Sequence, residues 1–105
     1  MNQNLGSYFR MLRSQRSATL HDISKITDID SPLLSKIERG ERLPTFLQLS
    51  QLAQYYQVEE SSLKAKLMAE KIIKDYGLNN TTQEAIRIVE EQLEEYRKTP
   101  FKPNH

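Results

Sequence analysis

The sequence contains no cysteine and no tryptophan, and it has only three glycines and four prolines among 105 residues. Without cysteine, neither a disulfide framework nor a thiolate metal site can form. No apolar run reaches the length that a membrane-spanning helix needs, and the N-terminus lacks the apolar core of a signal peptide. These absences predict a cytoplasmic protein with no membrane partner.

The composition is that of a small globular domain, with 37% hydrophobic and 28% charged residues. The net charge of +1 does not by itself indicate a nucleic-acid partner. Its distribution is more informative, because residues 1–44 carry seven Lys/Arg and five Asp/Glu, whereas residues 78–105 carry four and five. The front of the chain is therefore mildly basic and the back mildly acidic.

Helical periodicity dominates the chain, and no alternating β-type run occurs, so the predicted fold class is all-α. We expect six helices. The first covers about 3–15, the second ends near 27, the third ends at 39–40, the fourth starts after 45, and the last two cover about 60–76 and 81–98. Thr19, Thr45 and Thr81 are expected N-caps, each followed three residues later by Asp, Gln or Glu.

The second and third helices are short, and only about three residues link them. Helices of this length bury too little to form an ordinary bundle hairpin. A helix-turn-helix that binds DNA has this form, with its second helix in the major groove and its first across the backbone.

On a helical wheel with about 100° per residue, the third helix has an apolar side and a polar side. Leu33, Leu34 and Ile37 share one side. The other side carries residues that can reach base edges and phosphates, namely Ser31, Pro32, Ser35, Lys36 and Arg39. Periodicity alone leaves the alternative of an ordinary solvated face open.

Four segments carry a resemblance to a known family: LGxxxRxLR at 5–13, TLxDIS at 19–24, LLSKIERGERLPT at 33–45 and LxxLAxYYxV at 49–58. Over about residues 5–65 the chain resembles the phage-repressor-like (lambda repressor/Cro-like, XRE-type) helix-turn-helix family. The resemblance implies a five-helix DNA-binding domain, which we place at 1–78. It departs from the family at Ser17 and Asp28, where glycine is frequent, and at Leu20, where glutamine is frequent.

The resemblance also implies roles for single residues. The base-reading positions fall on Ser31, Pro32, Ser35 and Lys36, and the phosphate-binding positions on Thr19, Arg39 and Arg42, with Arg10 and Arg16 as additional candidates. Arg13 and Glu38 are expected to form a structural ion pair between the first and third helices. Pro32 has an alternative role in starting the helix, and Arg10 and Arg16 have the alternative of being ordinary surface arginines.

The last helix, with the C-terminal segment 79–105, is expected to serve packing or dimerisation. Ile86, Val89, Leu93 and Tyr96 lie on one face and need cover, either from the fifth helix or from a second copy. The residues after the helix, TPFKPNH, are expected to fray.

The predicted function is a sequence-specific DNA-binding transcriptional regulator, most simply a homodimeric repressor on a palindromic double-stranded operator. The segments are also similar to small controllers of restriction–modification genes. The alternative is an antitoxin-type module that binds a co-encoded protein and DNA secondarily. We expect no enzyme activity, no cofactor and no metal, since the cluster of Glu90, Glu91, Glu94 and Glu95 reads as a solvated helix face.

Overall fold

The computed structural model describes residues 3–98, and within this range the chain forms six α-helices and no β-strand, which confirms the predicted all-α fold. The helices are α1 (Leu5–Gln15), α2 (Leu20–Ile26), α3 (Ser31–Glu38), α4 (Phe46–Tyr56), α5 (Glu60–Tyr76) and α6 (Asn80–Lys98). The tail at 99–105, expected to fray, lies outside the described residues.

The chain divides into two compact units, residues 1–71 and 72–105, with the division inside α5. The domain boundary after residue 78 stays a prediction. None of the helices within 3–98 is long and apolar enough to cross a bilayer.

Side-chain caps begin the first four helices. The Asn4 side chain accepts the Ser7 N–H at the start of α1, and Thr19 and Thr45 each form a full capping box, at α2 and α4. Asp30 caps α3 by accepting the Leu33 N–H at 2.9 Å. These caps satisfy backbone donors that have no partner inside the helix, so the polar residues before each apolar stripe fix where the helices start.

The start of α6 differs from the sequence prediction, which placed the N-cap at Thr81 with a capping box to Glu84. Asn79 caps this helix instead, because its Oδ1 accepts the Thr82 N–H at 2.9 Å. Its amide also donates to the Tyr76 carbonyl at 2.9 Å and so binds the end of α5. The Glu84 carboxylate pairs with Arg87.

The core consists of twelve buried apolar residues, all from the first unit. They are Leu5, Phe9, Ile23, Ile29, Leu34, Ile37, Leu49, Leu52, Ala53, Tyr56, Leu63 and Leu67. Three apolar residues on the helical stripes are exposed: Ile26 at 65%, Phe46 at 51% and Ile73 at 43%. Each lies at or near a helix end, where the stripe continues in sequence past the part of the helix that the core covers.

The bend between α2 and α3 is formed without a left-handed residue. Thr27 leaves α2 in an extended conformation, and its buried hydroxyl donates to the Ile23 carbonyl at 3.0 Å. Asp28, where the family often has glycine, is not among the positive-φ residues of the described chain. Ser17, the other position where the family often has glycine, does have a positive φ of 53°.

Gly6 lets α1 approach α3 closely. A Cβ at this position would lie 2.8 Å from the Glu38 carbonyl oxygen and would also collide with the Ile37 carbonyl oxygen. Both obstacles are backbone atoms, which have little freedom to move aside. The contact between α1 and the C-terminal end of α3 therefore depends on a residue without a side chain.

Candidate nucleic-acid interface

Two short helices and the turn between them form the centre of the site. Ile23 of α2 and Ile29 of the turn are each 1% exposed, so both insert into the core. The Asp30 cap and Pro32 in the first turn then start α3. The two helices pack against each other. This arrangement is a helix-turn-helix unit, as the helix lengths predicted.

The α3 helix has a buried side and an exposed side. Leu34 and Ile37 are buried, and Leu33 is half-buried against the same core. The four predicted base-reading residues lie on the opposite side, where Pro32 and Lys36 are exposed and Ser31 and Ser35 are partly exposed. The structure therefore places these four residues together on an accessible helix face, and their contacts with DNA remain a prediction.

Arg13 and Glu38, the predicted ion pair, form a two-pronged salt bridge between α1 and α3. The Arg13 Nε donates to Glu38 Oε2 at 2.8 Å and its Nη2 donates to Oε1 at 2.9 Å. The Arg13 Nη1 also donates to the Ala18 carbonyl at 3.0 Å. The side chains are 20% and 7% exposed, so water screens the pair only weakly. The hydrogen bonds that Arg13 donates to Glu38 raise the pKa of Arg13.

Arg39 was predicted to contact phosphate, and the structure gives it an acidic partner. Its Nε donates to Glu41 Oε2 at 2.7 Å, and its Nη1 donates to the Ser35 hydroxyl at 2.5 Å. Glu41 lies beyond the end of α3, so the periodicity of the helix gives no sign of an acid beside its exposed face. The signal that would have located Glu41 was Gly40, whose φ of +76° folds the chain back.

Arg16, an additional phosphate candidate, is exposed but bound to residues of its own domain. Its Nη2 donates to the Tyr56 carbonyl at 2.8 Å, and its guanidinium lies 5.5 Å from the ring centres of Tyr55 and Tyr56. Arg16 therefore joins the end of α1 to the end of α4. By contrast, Arg10 and Arg42 are exposed and form no salt bridge within residues 3–98.

Thr19, the predicted phosphate contact before α2, already takes part in a capping box. Its hydroxyl accepts the Asp22 N–H at 3.0 Å, and the Asp22 carboxylate accepts the Thr19 N–H at 2.9 Å. This backbone hydrogen bond lowers the pKa of Asp22, so the carboxylate is ionised at neutral pH. The Thr19 hydroxyl and N–H therefore already have partners within α2, and a contact of Thr19 with phosphate stays a prediction.

The apolar face of α6 is exposed along its length. The four dimer candidates, Ile86, Val89, Leu93 and Tyr96, are 39%, 51%, 45% and 48% exposed. Arg87 pairs with Glu84 and Glu91 on another side of the helix. No group of three potential metal ligands occurs within the described part of the chain.

A short, capped helix pair with an accessible polar second helix defines a helix-turn-helix protein, a DNA-binding class. The family model described as "Helix-turn-helix domain" matches residues 4–65, and the chain belongs to this family. Searches of the curated proteins and of the solved structures find no significant match.

We expect Glu38→Ala to lower the free energy of unfolding by about 2–4 kcal/mol, because it leaves the partly buried Arg13 guanidinium without its partner. Urea unfolding followed by circular dichroism measures the change. Glu41→Ala is the matched control, since it removes the partner of the exposed Arg39 and should change the free energy of unfolding much less. Equal effects of the two substitutions would contradict the structural role of the Arg13–Glu38 pair.

Proposed function

We propose that the chain is a sequence-specific transcriptional regulator of the phage-repressor-like type, which acts as a dimeric repressor and reads the major groove with α3. The observation that carries this proposal is the accessible face of α3, with Ser31, Pro32, Ser35 and Lys36 on a helix that the core and the Arg13–Glu38 pair hold in place. A rigidly held helix can present side chains to base edges in a fixed register.

The proposed contacts fall into two groups with different consequences. Lys36 can donate to guanine N7 and O6, and the serines can bond several base edges, so these residues select sequence. Arg42 and Arg10 are exposed cations without a salt bridge within residues 3–98, so they are the better phosphate candidates. Phosphate contacts position the protein on the duplex but carry no sequence information.

A second copy of the chain is the proposed partner of α6. Its apolar stripe follows a spacing of three, four and three residues from Ile86 to Tyr96, which is the seam of a two-helix contact. Most of the glutamates lie away from this seam, so pairing two copies does not bring their charges together. Two domains joined in this way would bind a palindrome with half-sites about one helical turn apart, or a multiple of that.

Control of restriction–modification genes is one specific form of this regulator, and it rests only on the resemblance in sequence. The alternative, an antitoxin-type module, is favoured by one observation, the exposed apolar face of α6. That face is equally suited to a different protein chain. Co-purification of a co-encoded protein that replaces the second copy on α6 would favour the alternative.

Selection of bound sites from random DNA should return a palindromic sequence. On this site we expect Lys36→Ala to relax the base preference at one position per half-site. The difference in binding free energy between the preferred base and the other bases at that position should fall by about 1–3 kcal/mol. Arg42→Ala should instead weaken all sequences to a similar degree and make the salt dependence shallower. Equal binding of wild-type protein to random and selected DNA would refute the proposed function.

Dimerisation through α6 is tested by Leu93→Asp, which places a charge in the apolar seam. We expect sedimentation equilibrium to give a monomer and the affinity for the full palindrome to fall more than tenfold, because the second half-site no longer adds to binding. Ile88→Asp is the matched control, since Ile88 is 47% exposed on the same helix but off the seam. A wild-type monomer, both free and on DNA, would contradict this part of the proposal.

A further inference from the structure

The chain reverses direction at the end of α3 and brings Glu41 back against the helix. Gly40 has a φ of +76°, and its N–H donates to the Ile37 carbonyl at 3.0 Å. The Glu41 N–H donates to the Lys36 carbonyl at 2.9 Å. These two hydrogen bonds form a Schellman motif, which fixes the backbone of Glu41 beside the last turn of α3.

The Glu41 side chain forms a bidentate ion pair with one edge of the Arg39 guanidinium. Both carboxylate oxygens accept from the guanidinium, at 2.7 Å from Nε and 3.2 Å from Nη2, while Nη1 donates to the Ser35 hydroxyl. Three of the five N–H donors of Arg39 are thus engaged and two are left to bind another acceptor. The Ser35 hydroxyl, which accepts from Arg39, keeps its own hydrogen for donation.

The effect of this arrangement on stability is small, because the two charged side chains are 50% and 54% exposed. Its consequence for the proposed contact with DNA is electrostatic. The hydrogen bond from Arg39 lowers the pKa of Glu41, so a full negative charge lies on the face proposed to meet a polyanion. That charge opposes binding to phosphates at any sequence, and it also restricts which atoms Arg39 can reach.

We propose that Glu41 is a positioning residue for sequence specificity, which holds the Arg39 guanidinium against Ser35 and directs its remaining donors toward a base acceptor instead of the phosphate backbone. Guanine, with N7 and O6 as two adjacent acceptors in the major groove, is the base that suits such a guanidinium best. This role rests on the proposed function, in which the exposed face of α3 enters the major groove.

The test compares Glu41→Gln with wild type on the selected site and on random-sequence DNA over a range of salt concentrations. Glutamine keeps the size of the side chain but removes the charge that holds Arg39. We expect roughly three- to tenfold tighter binding to random DNA, a salt slope steeper by about one per protomer, and a smaller ratio of specific to random affinity. The melting temperature should stay unchanged.

Glu91→Gln is the matched control. Glu91 also forms an exposed salt bridge with an arginine, Arg87, and its substitution changes the net charge equally. It lies on α6, for which no DNA contact is proposed. If both variants change random-DNA affinity and salt slope equally, the role of Glu41 is wrong and only the overall charge matters.

Arg39→Ala, alone and combined with Glu41→Gln, tests whether Glu41 acts through Arg39. We expect the effect of Glu41→Gln on the specificity ratio to disappear when Arg39 is absent, because no guanidinium is left to position. An undiminished effect in the Arg39→Ala background would overturn the positioning role. Failure of the wild-type protein to prefer any sequence would instead refute the proposed function, so the two failures are distinguishable.

Discussion

The arrangement of the DNA-binding unit depends on the ion pair between Arg13 and Glu38. Glu38 is the last residue of α3, and its carboxylate binds a guanidinium from α1 through two parallel hydrogen bonds. The same guanidinium holds the Ala18 carbonyl in the loop before α2. One side chain therefore connects α1, the approach to α2 and the end of α3.

This pair works together with two other long-range contacts in the first unit. Gly6 allows the α1 backbone to meet the end of α3, where a larger residue would collide with main-chain oxygens. Glu70 of α5 accepts the Leu5 N–H at 2.7 Å, so a carboxylate satisfies a backbone donor that has no partner inside α1. With α1 held at both ends, the exposed face of α3 is supported by a rigid scaffold, which a sequence-reading helix requires.

Much of the fold was predictable because its determinants are local. The caps at Thr19, Asp30 and Thr45 and the left-handed Gly40 are read from the sequence within four residues of the feature they produce. The features that could not be predicted from the sequence were missed for two physical reasons. Periodicity identifies residues that share a helix face but not whether anything covers them, so it does not distinguish the exposed Ile26 from the buried Ile23.

The second cause is that some contacts join residues that only the folded chain brings close together. Arg16 reaches the carbonyl of Tyr56, 40 positions away, and Arg39 meets a glutamate brought back by a turn after its helix. Neither contact leaves a periodic signal. The Arg13–Glu38 pair joins residues 25 positions apart, and it was expected only because the surrounding motifs resemble a known family.

Chemical interference on the selected DNA site tests the central claim, that α3 enters the major groove, most directly. Dimethyl sulfate methylates guanine N7 in the major groove and adenine N3 in the minor groove, so sparsely methylated DNA can be separated into bound and free fractions. The account predicts that N7 methylation blocks binding in two clusters one helical turn apart, or a multiple of that, whereas N3 methylation there has little effect. Interference confined to adenine N3 would contradict it.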